Sequence, residues 1–220
     1  GDAGARTGFD GPKGFWLPNG GIDWWQLCKT RGVLQAYNES GELEVFRSFA
    51  HPKSLRGAWY GSYGDNYSRP TGVKASHYIV WNLLFNQANS SWFWTMGAPG
   101  PLSGYAPDLT SLPYFASRTR ALQEIKSGIG KMILSSRREN DGIAIHFSDT
   151  SRIVDSLVSE KPSDWSTVFV SNLRYYRYLL EANGLGYDFV SYEQVEAGKL
   201  TRDGFRILVL PYSRAMSREE

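Results

Sequence analysis

One cysteine in 220 residues, Cys28, excludes an internal disulfide. Its surroundings, Gln26-Leu27-Cys28-Lys29, read as a helix position, and none of the three histidines, His51, His77 and His146, forms a local nucleophile motif with it. No His/Cys/Asp cluster has zinc spacing, so no metal is expected. Charge is also scarce in net terms. Set against each other, 24 basic and 22 acidic side chains leave +2, with no run of one sign, which argues against nucleic acid or an anionic membrane as partner. No stretch approaches the roughly 20 apolar residues of a membrane span. The first residues, Gly1-Asp2-Ala3-Gly4, carry no basic and apolar leader pattern, and no compartment follows from them. Gly128-Ile129-Gly130-Lys131-Met132 lacks the upstream glycine and the Ser/Thr of a phosphate loop. No cofactor is expected.

Aromatic residues are abundant instead: 15% of the chain, with 8 Trp and 13 Tyr, many beside Gly, Asn, Asp and Ser. Such residues serve either as an ordinary core with tyrosines at its edge or as platforms for sugar rings.

Two textures divide the chain. Up to about residue 110, short strands and irregular loops alternate. The strands are expected at Gly32 to Tyr37, Leu55 to Tyr60 and Ser91 to Thr95. Helices are expected over Ile22 to Thr30, over Thr71 to Asn86 with Ala75, Tyr78, Trp81 or Asn82, and Phe85 on its apolar face, and from Leu112-Pro113 to Ser135. In the last of these, Pro113 suits the first turn, and Leu122, Ile125, Ile129 and Met132 form a stripe. From 141 onward the pattern is cleaner. Asn140-Asp141-Gly142 is a turn, Ile143 to Phe147 a buried strand, and Ser148 to Ser163 a loop with at most a helical turn at Ile153 to Val158. A helix capped by Ser166 or Thr167 reaches Ala182, with Phe169, Leu173, Tyr176 and Leu180 inward and Gly184 at its end. Tyr187 to Ser191 is a strand, Tyr192 to Lys199 a short helix, and Phe205 to Leu210 a strand stopped by Pro211. Ser217 to Glu220 has the form of a first helical turn.

Strand–helix alternation argues α/β architecture with parallel sheets, whose ligands bind at the carboxyl ends of the strands. At about 30 residues per βα unit, 1 to 136 holds about four units of a (β/α)8 barrel, and three strands only begin a doubly wound sheet. Truncation at both ends is the expectation.

The segment order resembles the β-galactosidases of glycoside hydrolase family 42. In that family the last barrel helix leads into a flavodoxin-like trimerisation domain of the glutamine-amidotransferase type. Gly142-Ile143-Ala144-Ile145-His146-Phe147-Ser148 resembles that domain's first strand, Arg174-Tyr175-Tyr176-Arg177-Tyr178-Leu179-Leu180 its first helix, Gly186-Tyr187-Asp188-Phe189-Val190-Ser191 its second strand, and Arg206-Ile207-Leu208-Val209-Leu210-Pro211 its third. Gly21-Ile22-Asp23-Trp24-Trp25, Tyr37-Asn38, Glu44-Val45-Phe46-Arg47-Ser48-Phe49 and the Trp-rich strand at 92 to 94 resemble late barrel units. The resemblance implies a partial TIM barrel over 1–136 and a partial flavodoxin-like domain over 141–220. It also implies a carbohydrate substrate and a homo-oligomer, a trimer as in the family. The acid/base Glu is implied to precede Gly1, so the isolated chain is expected to be inactive. The nucleophile position should fall near Trp59-Tyr60-Gly61-Ser62-Tyr63, where no Glu stands. Asp65 is the nearest acid; Glu44 is the candidate if the strand count is displaced by one.

Glycoside hydrolysis uses two carboxyl groups, about 5 to 5.5 Å apart for retention and about 6.5 to 9.5 Å for inversion. The acids near strand ends are Asp23, Glu44 and Asp65. Each has a plain alternative: Asp23 as a helix cap before Trp24-Trp25, Glu44 as the partner of Arg47, Asp65 as a turn residue. Trp24, Trp25, Tyr37, Asn38, Trp59, Tyr60 and Trp94 are the candidate sugar contacts. The alternative reading of these positions is a non-catalytic carbohydrate binder, or a small-ligand flavodoxin-like protein with an unrelated first half.

Overall fold

The structure, a computed structural model, describes residues 8–10, 22–36, 41–61, 70–94, 104–158 and 167–220. It is mixed α/β with parallel strands. By contact, the chain divides into two compact units, Gly1–Ser54 with Arg138–Glu220, and Leu55–Arg137. The division at 54/55 has no counterpart in the sequence texture.

In the first unit, β1 (Gly8–Asp10) pairs in parallel with β2 (Val33–Ala36). Between them lies α1 (Trp24–Thr30), and after β2 comes α2 (Glu42–Phe49). The rest of the unit starts with β5 (Ile143–Phe147), set up by a turn in which Asn140 Oδ1 accepts from the Gly142 and Ile143 amides. Residues 149–158, expected as a loop with at most a helical turn at Ile153 to Val158, form a full helix, α6 (Asp149–Val158). The polar run misleads because Ser148, Asp149, Ser151 and Arg152 are buried and mutually bonded, as in Ser148 Oγ to Ser151 Oγ at 2.9 Å and Arg152 Nε to Asp149 Oδ1 at 3.1 Å.

Helix α7 (Val168–Ala182) is capped by Thr167, whose hydroxyl accepts from the Val170 amide. It closes with paired bonds from Leu185 N to Leu180 O and from Gly184 N to Glu181 O. Its inward stripe is Phe169, Leu173, Arg177 and Leu180; Tyr176, expected inward, is 40% exposed. An arginine holds that position because it has an ion-pair partner there. β6 (Tyr187–Ser191), α8 (Tyr192–Glu196), α9 (Lys199–Arg202) and β7 (Ile207–Val209) complete the unit. The three strands form a parallel sheet of order β6-β5-β7, with the first strand in the centre. Phe147 of β5 anchors an aromatic core, edge-on to Phe49, Phe169 and Phe189 at 5.8 to 6.1 Å. Burying each such ring stabilises by roughly 1.5–3 kcal/mol.

In the second unit, β3 (Leu55–Gly61) pairs in parallel with β4 (Ser90–Trp94) through α3 (Pro70–Phe85). The buried face of α3 is Ser76, Val80, Leu83 and Leu84; Tyr78 and Phe85, expected inward, are 66% and 60% exposed. Two stripes of this helix satisfy three-and-four spacing, and the branched aliphatic one packs. The long helix expected up to Ser135 is broken. α4 (Pro113–Glu124) and α5 (Gly130–Ser135) flank a wide turn over Ile125–Ile129, in which Gly130 N bonds five residues back to Ile125 O. Gly128 sits there at φ 132°, a conformation suited to glycine. The kink takes Ile129 and Met132 out of the expected stripe, to 37% and 60% exposure; Tyr114, Phe115, Arg118 and Ala121 are buried instead.

Candidate functional site

The two β-strands of the second unit place aromatic residues at their carboxyl ends, where α/β folds bind ligands. The register sets Trp59 opposite Trp92, Tyr60 opposite Phe93 and Gly61 opposite Trp94. The positions of Trp59, Tyr60 and Trp94 thus share one end of one strand pair. Tyr37, Asn38 and Asp65 lie outside the described residues.

The other candidates belong to the first unit. Asp23 caps α1: Oδ1 accepts from the Gln26 amide at 2.9 Å and Oδ2 from the Tyr192 hydroxyl at 2.7 Å. Burial, with Asp23 beside it, pushes the Tyr192 phenol up to about 12. Trp24 is 1% exposed, its ring 6.0 Å from that of Phe46, and its amide donates to Asp149 Oδ2 at 2.8 Å. The indole N–H of Trp25 donates to Glu193 Oε2 at 2.7 Å, and its ring meets Phe49 edge-on. Glu44 is buried on α2, with Oε2 3.2 Å from Arg177 Nη1. Arg47, the expected partner of Glu44, lies within reach of its charge and also donates to the Tyr187 carbonyl at 3.2 Å. These four residues therefore stand where α1 and α2 pack on the elements after 141, each engaged by a neighbour that sequence distance conceals.

Sequence reading missed the buried ionisable residues of this packing. Asp149 binds the Trp24 amide and Arg152, while Arg152 Nη2 donates to the Ile22 carbonyl at 2.7 Å. Burial raises Asp149 to about 6 against the opposing pull of Arg152. His146, wholly buried on β5, has Nδ1 3.0 Å from Ser213 Oγ and Nε2 2.9 Å from Glu220 Oε1. Burial holds its imidazole below the ordinary value, with Glu220 opposing. The legible signal was Arg177 falling on the stripe of Phe169, Leu173 and Leu180. Among the described residues no group of three or more His, Cys, Asp or Glu could hold a metal ion, and no helix is long and apolar enough to cross a membrane.

No protein-family model matches the chain, and no curated protein matches it either. Solved structures do. A GH5_18 from Bifidobacterium longum subsp. longum superposes with a TM-score of 0.58 at 12% identity, covering 100% of this chain and 58% of that one. A variant of the GH5_18 from this organism, in complex with Manβ1-4GlcNAc, gives 0.58 at 12% identity over 100% and 57%. A GH5_18 from Streptomyces cattleya in complex with GlcNAc gives 0.51 at 12% identity over 86% and 51%. The chain thus spans little more than half the length of these proteins. The likeness shows a fold shared with these GH5_18 structures and does not single out family 42.

Proposed function

We propose that the chain is part of a glycoside hydrolase acting on a β-linked sugar. The observation that carries this reading is the fold likeness along the whole chain to GH5_18 structures, one of them in complex with Manβ1-4GlcNAc. It is joined by aromatic positions 59, 60 and 94 at the carboxyl end of one parallel strand pair. Aromatic faces stack on the C–H faces of a pyranose, so Trp59, Tyr60 and Trp94 serve as its platform, with Tyr37 and Asn38 contributing polar contacts. Asp65 is the acid assigned to the reaction, following β3. The sugar is a β-galactoside by the family resemblance, or a β-mannoside by the ligand of the neighbour. Residues 1–136 belong to the barrel and 141–220 to a flavodoxin-like oligomerising domain, with a trimer as the assembly.

The second reading, a carbohydrate binder without hydrolysis, is favoured by one observation. Both described candidate acids, Asp23 and Glu44, are engaged in a helix cap and an ion pair.

Hydrolysis of nitrophenyl β-galactoside, β-mannoside and β-glucoside and of Manβ1-4GlcNAc is measured with the chain and with the full reading frame that encodes it. Cleavage of one glycoside by the full frame, lost in Asp65→Asn and kept in Asp23→Asn, supports the enzyme reading. Calorimetric binding of the same sugars without cleavage, lost in Trp94→Ala, replaces it with the binding reading. Neither cleavage nor binding removes both.

A further inference from the structure

His146, wholly buried on β5, has no part in the sugar reading. Its Nδ1 lies 3.0 Å from Ser213 Oγ, and its Nε2 lies 2.9 Å from Glu220 Oε1. Ser213 is half-buried, and the Glu220 side chain is 5% exposed. A hydroxyl, an imidazole and a carboxylate thus stand in a row with the imidazole in the middle. Neither Nε2 nor Oε1 hydrogen-bonds to any other group among the described residues. The carboxylate favours the ring proton on the Nε2 beside it, which leaves Nδ1 free to accept from the Ser213 hydroxyl. Glu220 is itself fixed by Ser217: its amide donates to Ser217 Oγ at 3.1 Å, and its Oε2 accepts from the Ser217 amide at 2.6 Å. Oε1 is the oxygen left for the ring.

Three observations set this row apart from an ordinary buried histidine. The first is its place. In the sheet order β6-β5-β7 the chain leaves β5 on one side and returns to it on the other, so the carboxyl ends of β5 and β7 flank the crevice where open parallel sheets bind ligands. His146 is the penultimate residue of β5, and Ser213 follows the end of β7 by four residues. The second is how the segment after β7 is tied down. Ala215 N donates to Ser151 Oγ at 3.0 Å, and that hydroxyl donates to the Ala215 carbonyl at 3.2 Å, which fixes Ser213 over His146. The third is strain. Tyr212, next to Ser213, has φ 62°, a left-handed conformation unfavourable for a bulky side chain and of the kind that gathers at functional sites.

A nucleophile within reach of a base that a third group orients is the arrangement that activates serine, irrespective of fold and chain order. We propose that Ser213, His146 and Glu220 form an acyl-transfer site that hydrolyses short-chain carboxylic esters. The Ser213 oxygen adds to the ester carbonyl as its proton passes to His146 Nδ1. The bond from the carbonyl carbon to the alcohol oxygen then breaks, and the alcohol leaves with that proton. Water repeats the sequence on the acyl-serine and releases the acid. Glu220 is the positioning residue: it holds the tautomer and offsets the charge of the imidazolium. Burial favours the neutral imidazole, the form that accepts a proton. Because the ring is wholly buried, the ester reaches it only along the Ser213 side, which suits a small acyl group. All three residues belong to the first unit, and the site does not depend on the glycosidase reading.

The test is labelling of the 220-residue chain with an alkyl fluorophosphonate, read by peptide mass spectrometry, with hydrolysis of nitrophenyl acetate followed in parallel. In the labelling step the Ser213 oxygen bonds to phosphorus, fluoride leaves, and the hydroxyl proton passes to His146. Expected is an adduct on Ser213 in the native chain, absent from the chain in denaturant, with ester hydrolysis lost in Ser213→Ala. His146→Gln should slow labelling by at least about a hundredfold. Should that variant fail to fold by circular dichroism, Glu220→Gln provides the second. Its side-chain carbonyl can still accept from the Ser217 amide, and loss of the charge beside Nε2 should slow labelling by at least about tenfold. The proposal is overturned by the absence of an adduct on Ser213 in the native chain, by equal labelling of native and denatured chain, or by a full labelling rate in either variant.

Discussion

Arg177 Nη1 stands 3.2 Å from Glu44 Oε2, and both side chains are buried. The carboxylate comes from α2 and the guanidinium from α7, more than 130 positions further along the chain. Glu181 lies 3.9 Å from Arg177 Nε, and the guanidinium covers the Tyr178 ring. Such a pair is held by its mutual compensation, because either charge left alone in this setting is strongly unfavourable.

Glu44→Ala should therefore lower unfolding free energy by about 3–5 kcal/mol. Glu44→Leu combined with Arg177→Met should recover most of that loss. Urea unfolding of the single and double variants measures both. A Glu44→Ala variant that unfolds at the wild-type midpoint would remove the ion pair as the account of this residue.

Asp149 has a folded-state value of about 6, above the 3.8 of an unperturbed Asp, because burial disfavours its anion. Its protonated form is thus favoured by folding: the contribution is complete below 3.8 and is lost as pH rises through about 6. Stability relative to Asp149→Asn should fall by on the order of 3 kcal/mol between pH 4 and pH 7. Parallel stability–pH curves for the two proteins would contradict the shift.

His146 acts in the opposite sense. Burial lowers its folded-state value below 6.5, so the unfolded chain takes up the proton first. The stability it contributes is present above 6.5 and is lost as pH falls. Glu220 and Ser213 face it. His146→Gln should flatten the stability curve on the acid side of 6.5. NMR titration of the ring in the folded protein reads the lowered value directly.

Cys28 is 0% exposed on α1, and burial, followed by Asp149 and Asp23, pushes its thiol well above the ordinary range. Reaction with an aromatic disulfide reagent should be negligible in the native state and complete in denaturant. The measured rate should then follow unfolding, not thiol chemistry.

A Cβ at Gly57 would lie 2.0 Å from the Ser90 carbonyl oxygen and 2.8 Å from the Trp92 ring. Gly57→Ala must displace backbone between β3 and β4. We expect a destabilisation of more than about 2 kcal/mol, seen as a lower midpoint in thermal unfolding.

Local pattern alone determined where most elements lie. The apolar runs at Leu55–Gly61, Ile143–Phe147 and Tyr187–Ser191, and the caps at Asp23 and Thr167, depend on neighbours within a few residues and are therefore legible in sequence. Which face each helix buries was not decided locally. On α3 aromatic and aliphatic stripes compete at the same spacing, and only the packed neighbours select Val80, Leu83 and Leu84 over Tyr78 and Phe85. The kink at Gly128 likewise depends on how the chain on either side of it packs. The candidate acids show the limit most directly. Asp23 was legible as a cap, because its partner is three residues away; Glu44 was legible against Arg47 on its own helix, but its ion pair with Arg177 was not. A carboxylate's role depends on what lies within a few ångströms of it, and for a residue buried between distant segments only the tertiary structure brings those groups together.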